Sequence, residues 1–418
     1  VTTRTAGTPH PASGPRRGCG WPTAGLAAAA LWGLAPPAQA AWIGSWGASP
    51  APPITAADAD VRTLTPRFED QTLVQVVRLS AGGRRLRLRI SNEYGEGQLT
   101  LGAAEVSLLA ADGTEGPRRT VTFGDSRRVV MPPGAPALSD PVDLVTPPLA
   151  RLRITLHVAG RALCTCHVAG GERVQVSPPG DHTDRPFQSV APAGASYRAF
   201  LTGVEVAAAT SGPVIVAFGD SITDGLASSV GMNRRWPDRL AERLAARRGP
   251  PAAVVNAGIS GNRLLSDGYR PAAGEAALRR FDRDVLAVSG VTHLIVLEGV
   301  NDLGFGGAQP PDAQRLIFAY RQLIARAHAH GVRVIGGTIL PYGGGVYFNA
   351  SGEAVRQAVN AWIRTSGAFD GVVDFDAAMR DPATPTRLRP DFHAGDWIHP
   401  NDAGYAAMAA AFDLSLLK

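Results

Sequence analysis

The sequence predicts an α/β protein, a parallel sheet of about five strands covered by helices on both sides, preceded by a β-sandwich or jelly-roll domain. Three observations carry that expectation. Up to about Glu205 the apolar residues recur with a period of two; beyond Val214 short apolar runs alternate with helical segments; and small residues from Ala207 to Gly212 separate the two regimes. The implied domains are a secretory signal at 1–40, a β-domain at 41–205, a linker at 206–212 and an α/β domain at 213–418.

Residues 1–40 read as an export signal. Arg16 and Arg17 form a positive end, Leu26 to Leu34 an apolar stretch, and Ala38-Gln39-Ala40 a small-residue cleavage site. The Gly18-Cys19-Gly20 after the arginine pair lacks the apolar character of a twin-arginine signal. The apolar stretch is too short for a membrane anchor, and no other stretch is long enough to span, so a secreted or periplasmic location is expected. The segment holds three arginines and no acids, which leaves 38 basic against 36 acidic residues in the mature chain. That balance gives nucleic acid no electrostatic motive for binding.

The β-rich half begins with Leu73, Val77 and Leu79. The turn Ala81-Gly82-Gly83 follows, and then Leu86, Leu88 and Ile90 alternate with Arg85, Arg87 and Arg89, a pattern that reads as a hairpin with a solvated arginine face. Leu152, Ile154, Leu156 and Val158 alternate with polar residues in the same way. Cys164 and Cys166 survive processing, but on an extended strand residues two apart lie about 7 Å between alpha carbons. That spacing strains a bridge, so two small buried thiols are expected.

Five apolar runs predict the parallel strands: Val214 to Phe218, Ala253 to Val255, Leu294 to Leu297, Val332 to Ile335 and Val372 to Phe375. Helices fall between them near Arg234 to Arg248, Asp312 to His330 and Ser351 to Thr365, with a last one after Asp402. In the second, Leu316, Tyr320, Leu323, Ile324 and Ala327 hold one face. Such alternation places an active site at the carboxyl ends of the strands.

Phe218-Gly219-Asp220-Ser221-Ile222-Thr223-Asp224-Gly225 stands at the end of the first of these strands. A serine there, opening a glycine-flanked turn, is exposed where substrates bind and offers its own amide to a developing oxyanion. The same four residues recur at Phe123-Gly124-Asp125-Ser126, but Arg127-Arg128-Val129-Val130 continues as strand, so that copy reads as a turn. Three further elements follow in order: Asn256-Ala257-Gly258-Ile259-Ser260-Gly261-Asn262, Gly299-Val300-Asn301-Asp302, and Asp396-Trp397-Ile398-His399-Pro400. In order and spacing the four resemble the conserved blocks of the SGNH (GDSL-type) esterase and lipase superfamily, over Val214 to Leu417.

The resemblance implies a three-layer αβα flavodoxin-like hydrolase domain. It implies Ser221 as nucleophile, His399 as general base and Asp396 as the carboxylate on the second imidazole nitrogen. The oxyanion donors it implies are the amides of Ser221 and Gly261 and the side-chain amide of Asn301. The reaction is then hydrolysis of small-molecule or glycan acyl esters, with no cofactor and no metal. An α/β-hydrolase elbow would need glycine where Thr223 stands. Leu303, Phe305, Tyr342 and Trp397 flank the motifs and are candidates to line the substrate pocket, and Gly304, Gly306, Gly307 and Gly343 to Gly345 give two loops freedom to move over it. Ala41 to Glu205 more loosely resembles the β-domain of secreted bacterial relatives compared with arylesterases and xylan-associated acylhydrolases, through Ser45-Trp46-Gly47-Ala48-Ser49 and Ser91-Asn92-Glu93-Tyr94-Gly95. This tilts the expected substrate toward acylated glycans.

Other polar groups have plainer readings. His328 and His330 sit two apart on a helix and share no face. Asp181, His182 and Asp184 form a polar loop without a metal-ligand spacing, and Asp391 with His393 lacks the spacing of the proposed pair. Two rival functions remain at this point: an acyltransferase to a sugar hydroxyl, and a glycan-binding protein with an inert hydrolase half.

Overall fold

The switch in periodicity is a switch in architecture. A computed structural model describes residues 41–56, 58, 64–208, 212–305 and 310–418, so the expected export signal, Gly306 and Gly307 lie outside the described residues. The first half carries β1 (Ala41–Gly47), β2 (Arg67–Arg78), β3 (Gly83–Ser91), β4 (Leu99–Leu109), β5 (Arg119–Thr120), β6 (Val129–Met131) and β7 (Pro136–Leu138). It continues with β8 (Val142–Thr146), β9 (Arg151–Leu163), β10 (Cys166–His167), β11 (Gln175–Pro179), β12 (Arg198–Ala199) and β13 (Leu201–Ala208). One antiparallel sheet runs β1-β13-β3-β7 with β8 also on β3, and a second runs β11-β2-β9-β4-β5 with β6 also on β4. Leu86, Leu88 and Ile90 of the first sheet and Leu152, Ile154, Leu156 and Val158 of the second are all fully buried and share one core. Burial of apolar side chains at every second position is what holds the two sheets face to face.

The expected hairpin between β2 and β3 does not form. The two strands belong to different sheets, and the turn between them crosses the core. Leu79 and Ala81 are fully buried. Ser45 Oγ donates to Ala81 O at 2.7 Å and Ser80 Oγ donates to Ser45 O at 2.7 Å, so the turn is tied to β1 and the chain arches over to the opposite sheet.

The second half carries β14 (Val214–Gly219), β15 (Ala253–Gly258), β16 (His293–Leu297), β17 (Arg333–Gly337) and β18 (Gly371–Val373), parallel and in the order β15-β14-β16-β17-β18. Its helices are α1 (Ser221–Asp224), α2 (Trp236–Ala245), α3 (Ala277–Phe281), α4 (Val300–Gly304), α5 (Ala313–Ala329), α6 (Ala350–Thr365), α7 (Phe375–Met379) and α8 (Asp402–Ala411). The α5 stripe foreseen from its spacing is buried, and Asp312 caps the helix by accepting from Arg315 N at 2.9 Å. Asn349 and Asn401 cap α6 and α8 in the same manner. No helix among the described residues is long and apolar enough to cross a membrane.

The two halves share one compact unit. The stretch expected to be a linker from 206 starts as strand: Val206, Ala207 and Ala208 finish β13 opposite Ile43, Trp42 and Ala41, because all three bury apolar side chains there. Residues 209–211 lie outside the described residues. β1 lies against β15, where Gly44 leaves room for Val255 and Val288 and donates to Ser289 O at 2.9 Å. The two motif echoes of the β-half are among its contacts with the α/β half. Ser45 and Ser80 link to Val254 N, and the Tyr94 hydroxyl accepts from Arg283 Nη1 at 2.7 Å while donating to Glu275 Oε2 at 3.1 Å.

Two further expectations are corrected. Cys164 and Cys166 form a disulfide, with alpha carbons 5.2 Å apart. The chain leaves the extended conformation after Leu163 and re-enters it at Cys166, which shortens the span below that of a regular strand. The arginine row of β3 is not simply solvated: Arg87 lies 2.6 Å from Glu205 and its guanidinium stacks 4.3 Å from the Trp42 ring.

Candidate active site

Ser221 is placed by a one-turn helix. Asp220 caps it by accepting from Ile222 N at 2.9 Å, and Gly225, at φ 94°, closes it with a bond from its amide to Ser221 O. Gly219 before it has no room for a side chain, since a Cβ would run into Thr223 and Leu297 O. The sharp strand-to-helix turn therefore needs glycine there, and Ser221 becomes the first helical residue, whose amide has no acceptor within the helix.

The imidazole reaches Ser221 from the loop before α8. His399 Nε2 lies 2.9 Å from Ser221 Oγ, and His399 Nδ1 lies 2.5 Å from Asp396 Oδ2. The other oxygen of Asp396 accepts from the amides of Ile398 and His399, both at 2.9 Å. Partial burial opposes the charge, but these bonds hold the Asp396 carboxyl well below the usual carboxylate range. It is an ionised acceptor throughout the neutral range, which fixes a proton on Nδ1 and leaves Nε2 free to take one from the serine. Trp397 sits at φ 61° to close this tight turn, its ring stacked on His393 at 4.0 Å between centroids. His393 Nδ1 accepts from Gly395 N, and Asp391 pairs with Arg389, so that pair braces the loop and does not face the serine.

On the other side stands the turn from Ile259 to Asn262. Asn262 N donates to Ile259 O at 3.0 Å, and Gly261 takes the left-handed φ of 84° that a type II turn requires at its third residue. Asn301, at the start of α4, donates one side-chain N–H to Asn262 O at 2.9 Å, so its second N–H is the one left for a ligand. The structure thus brings Ser221, His399 and Asp396 into one hydrogen-bonded chain and ties Asn301 to the turn that bears Gly261.

Of the pocket candidates, Leu303 and Tyr342 are buried in the core of the α/β half. Helix α4 and the loop after β17 turn them inward, into that core. Phe305 and Trp397 are half-buried. Two aromatic residues that the motifs do not mark pack against Phe305. Tyr269 stacks on Phe305 at 4.5 Å, and the Tyr347 ring is tilted against Phe305 at 4.7 Å. A Cβ on Gly261 would stand 3.2 Å from Tyr269 Cε1, so this ring borders the turn. Burial raises the Tyr347 phenol, and the Asp220 and Asp396 charges raise it further, as expected for a hydroxyl turned toward the site.

Beneath the site lies a buried polar base that the sequence patterns also miss. Arg280 is fully buried and donates to Ala257 O at 2.7 Å and Gly219 O at 2.9 Å, joining the carboxyl ends of β15 and β14. It also pairs with Asp284 at 2.9 Å and Glu298 at 3.3 Å and donates to Asn262 Oδ1 at 2.9 Å. Burial pushes the Asp220 carboxyl up to about 7, against the opposing pull of the Ile222 amide and His399. It likewise pushes Asp302 up to about 6, even though Asp302 accepts from the amides of Leu264 and Leu265. Glu298 is raised well above its usual range by burial and then by Asp220. Burial is what favours the uncharged forms of Asp220 and Glu298, and the Arg280 charge pulls both the other way.

The remaining candidates fall elsewhere. Ser126 lies in an exposed turn whose Gly124 and Asp125 amides donate to Asp140. Ser126→Ala is therefore expected to leave esterase turnover within about twofold of the unaltered protein, as surface changes away from a site generally do. His328 pairs with Asp370 at the surface, Asp181 holds Thr183, and no group of three or more His, Cys, Asp or Glu among the described residues has the arrangement to hold a metal ion.

Residues 217–407 match the GDSL-like lipase/acylhydrolase family. Among curated proteins nothing matches. Similar solved structures include an acetylxylan esterase from Geobacillus stearothermophilus, as a catalytic mutant, at 22% identity, covering 50% of this chain and 95% of that one, with a TM-score of 0.39. The native aryl esterase of M. smegmatis is 15% identical, covering 48% and 95%, with a TM-score of 0.38. A GDSL-like lipase from Bacteroides thetaiotaomicron VPI-5482 is 20% identical, covering 49% and 87%, with a TM-score of 0.37. The three motifs after β14, β15 and β16, the fourth in the loop before α8 and the family match over 217–407 agree: that part of the chain belongs to the GDSL-like lipase/acylhydrolase family, and the protein is a hydrolytic enzyme.

Proposed function

We propose that the protein is an exported, metal-independent serine carboxylester hydrolase that cleaves short acyl esters, including those carried by glycans, through an acyl-enzyme on Ser221. The observation that carries this reading is the chain from Ser221 Oγ through His399 to Asp396, with spacings of 2.9 and 2.5 Å. As Ser221 Oγ attacks the ester carbonyl, its proton passes to His399 Nε2, and Asp396 stabilises the imidazolium. The amides of Ser221 and Gly261 and the free N–H of Asn301 take the oxyanion. Collapse expels the alcohol with the proton from His399. Water, activated by the same imidazole, then releases the acid.

Three features support the finer reading. The disulfide suits an oxidising compartment, as export would provide. Tyr269 borders the Gly261 turn with Phe305 and Tyr347 packed in series beside it, which favours a short acyl group. Tyr269 is 48% exposed and offers a sugar a flat apolar face. On nitrophenyl esters of increasing length, the ratio kcat/KM should peak at acetate to butyrate and fall about tenfold or more by octanoate, with activity retained in EDTA. Acetylated xylan should release acetate. A maximum at long chains, or loss in EDTA restored by one divalent ion, would refute the short-acyl or the metal-independent part.

A further inference from the structure

His167 belongs to the β-half, yet it points into the hydrolase half. It lies in β10 immediately after the disulfide, and only 6% of its surface is exposed. Its Nδ1 is 2.9 Å from Ser49 O, and its Nε2 is 3.1 Å from Asp224 Oδ1 and 3.2 Å from Ala169 O. Every one of these partners accepts hydrogen bonds, so both ring nitrogens must carry protons and the ring is an imidazolium. Burial opposes that charge, but Asp224 outweighs it and raises the pKa of His167.

Asp224 closes α1, three residues after Ser221, and is itself buried. Its second oxygen accepts from Ser260 N at 3.0 Å and from Ser260 Oγ at 2.6 Å. Ser260 and Gly261 are the two central residues of the Ile259–Asn262 turn, and the amide of Gly261 belongs to the peptide between them. A β-turn can exchange types by flipping that central peptide, which would aim its carbonyl where its N–H had been. The orientation of the Gly261 N–H thus depends on what holds Ser260.

We propose that His167 is a positioning residue for the ester hydrolysis, through which the β-half holds Asp224 and, through Asp224, the Ser260–Gly261 peptide that faces the oxyanion. This inference rests on the proposed hydrolysis by Ser221, in which Gly261 donates to the oxyanion. It gives the β-half a part in catalysis that requires no contact with substrate. The charged groups around the pair are Arg235 at the start of α2, which lowers the pKa of His167, and Arg198 opposite it on β12. Glu172 and Asp238 act through Arg198, and the buried Tyr405 phenol of α8, itself raised by burial, faces Asp224. The net field favours the imidazolium, whose loss at alkaline pH should weaken the link.

The test compares His167→Ala, His167→Gln and Ser260→Ala with the unaltered protein on a nitrophenyl acetate, with Ser221→Ala measured beside them. His167→Ala should lower kcat about tenfold or more, a fraction of the loss of a whole oxyanion donor, while KM changes less than about twofold. His167→Gln, which keeps a neutral donor toward Asp224, should regain most of that loss and should lack the alkaline fall in kcat that the unaltered protein shows. Ser260→Ala breaks the same link from the other end. It should lower kcat severalfold, and combining it with His167→Ala should add little. If His167→Ala fails to fold, the kcat-specific loss in Ser260→Ala and the flat alkaline limb of His167→Gln decide the matter. Variants of His167 and Ser260 that keep kcat within twofold, or that change KM and kcat alike, overturn the positioning role if Ser221→Ala is inactive. Activity retained by Ser221→Ala overturns instead the reading on which it rests.

Discussion

Ser221→Ala is expected to lower turnover of a short-chain nitrophenyl ester by a factor on the order of 10³ or more with the fold retained. Removing Oγ abolishes the covalent step, while the amides of Ser221 and Gly261 and the whole buried base remain. His399→Ala should cost as much, because Oγ at its ordinary pKa is a poor nucleophile without Nε2 at 2.9 Å to take its proton. The two losses should not add, since each removes the same step. Ser221→Ala should also keep its melting temperature within a few degrees, because among the described residues Oγ is hydrogen-bonded to His399 alone and the change removes a single atom.

The second large effect separates Asn301 from Asp396. Asn301→Ala removes the free N–H proposed for the oxyanion and also the 2.9 Å bond that ties Asn262 O. Turnover should fall by about 10² to 10³, equivalent to about 3 to 4 kcal/mol, with the Michaelis constant nearly unchanged. That loss should be the same at every pH, because nothing that titrates is removed. Asp396→Asn acts on the imidazole. An amide N–H facing Nδ1 favours the wrong tautomer and removes the charge that stabilises the imidazolium, so turnover should fall by about 10³ to 10⁴ near neutrality. It should recover partly as pH rises and the deprotonated ring becomes easier to maintain. Since hydrogen bonds hold the Asp396 carboxyl well below the usual range, the unaltered enzyme loses this carboxylate only in strong acid. Matched pH profiles on one ester measure both effects, and parallel, pH-independent losses would remove the distinction between the two residues.

The elements of this protein were legible where local sequence dictates local structure. The change from period two to strand and helix alternation located the sheets, because burial on one face of a strand or helix imposes that period. The four motifs located the serine, the Ile259–Asn262 turn proposed to face the oxyanion and the histidine, because their glycines and polar residues serve positions a few residues apart. What depends on distant partners was not legible. Alternation identified β2 and β3 as strands but not that Ser45 would draw the turn between them across the core. The reach of Cys164 to Cys166 turned on whether the strand stayed extended, which Leu163 and the pairing of β10 with β12 decide.

Within the site the same division holds. Arg280 looks like any helical arginine, and only the convergence of Gly219 O, Ala257 O, Asp284, Glu298 and Asn262 on it makes burial tolerable. Proximity to a motif suggested Leu303 and Tyr342 as pocket residues, but helix α4 and the loop after β17 turn them into the core. Tyr269 and Tyr347 reach the site from loops whose sequence carries no family signature. Their one sequence signal is aromatic residues within two positions of glycine, at Gly268-Tyr269 and Gly345-Val346-Tyr347-Phe348.

The most direct measurement of the central claim is intact-mass and peptide-mass spectrometry after reaction with a nitrophenyl alkylphosphonate, which traps an activated serine as a stable tetrahedral phosphonyl ester. One phosphonyl group per chain is expected, on the peptide that contains Ser221, with activity lost in proportion to labelling and no label on Ser221→Ala. A label on Ser126 or another residue, or full activity in a chain labelled at Ser221, would contradict the account.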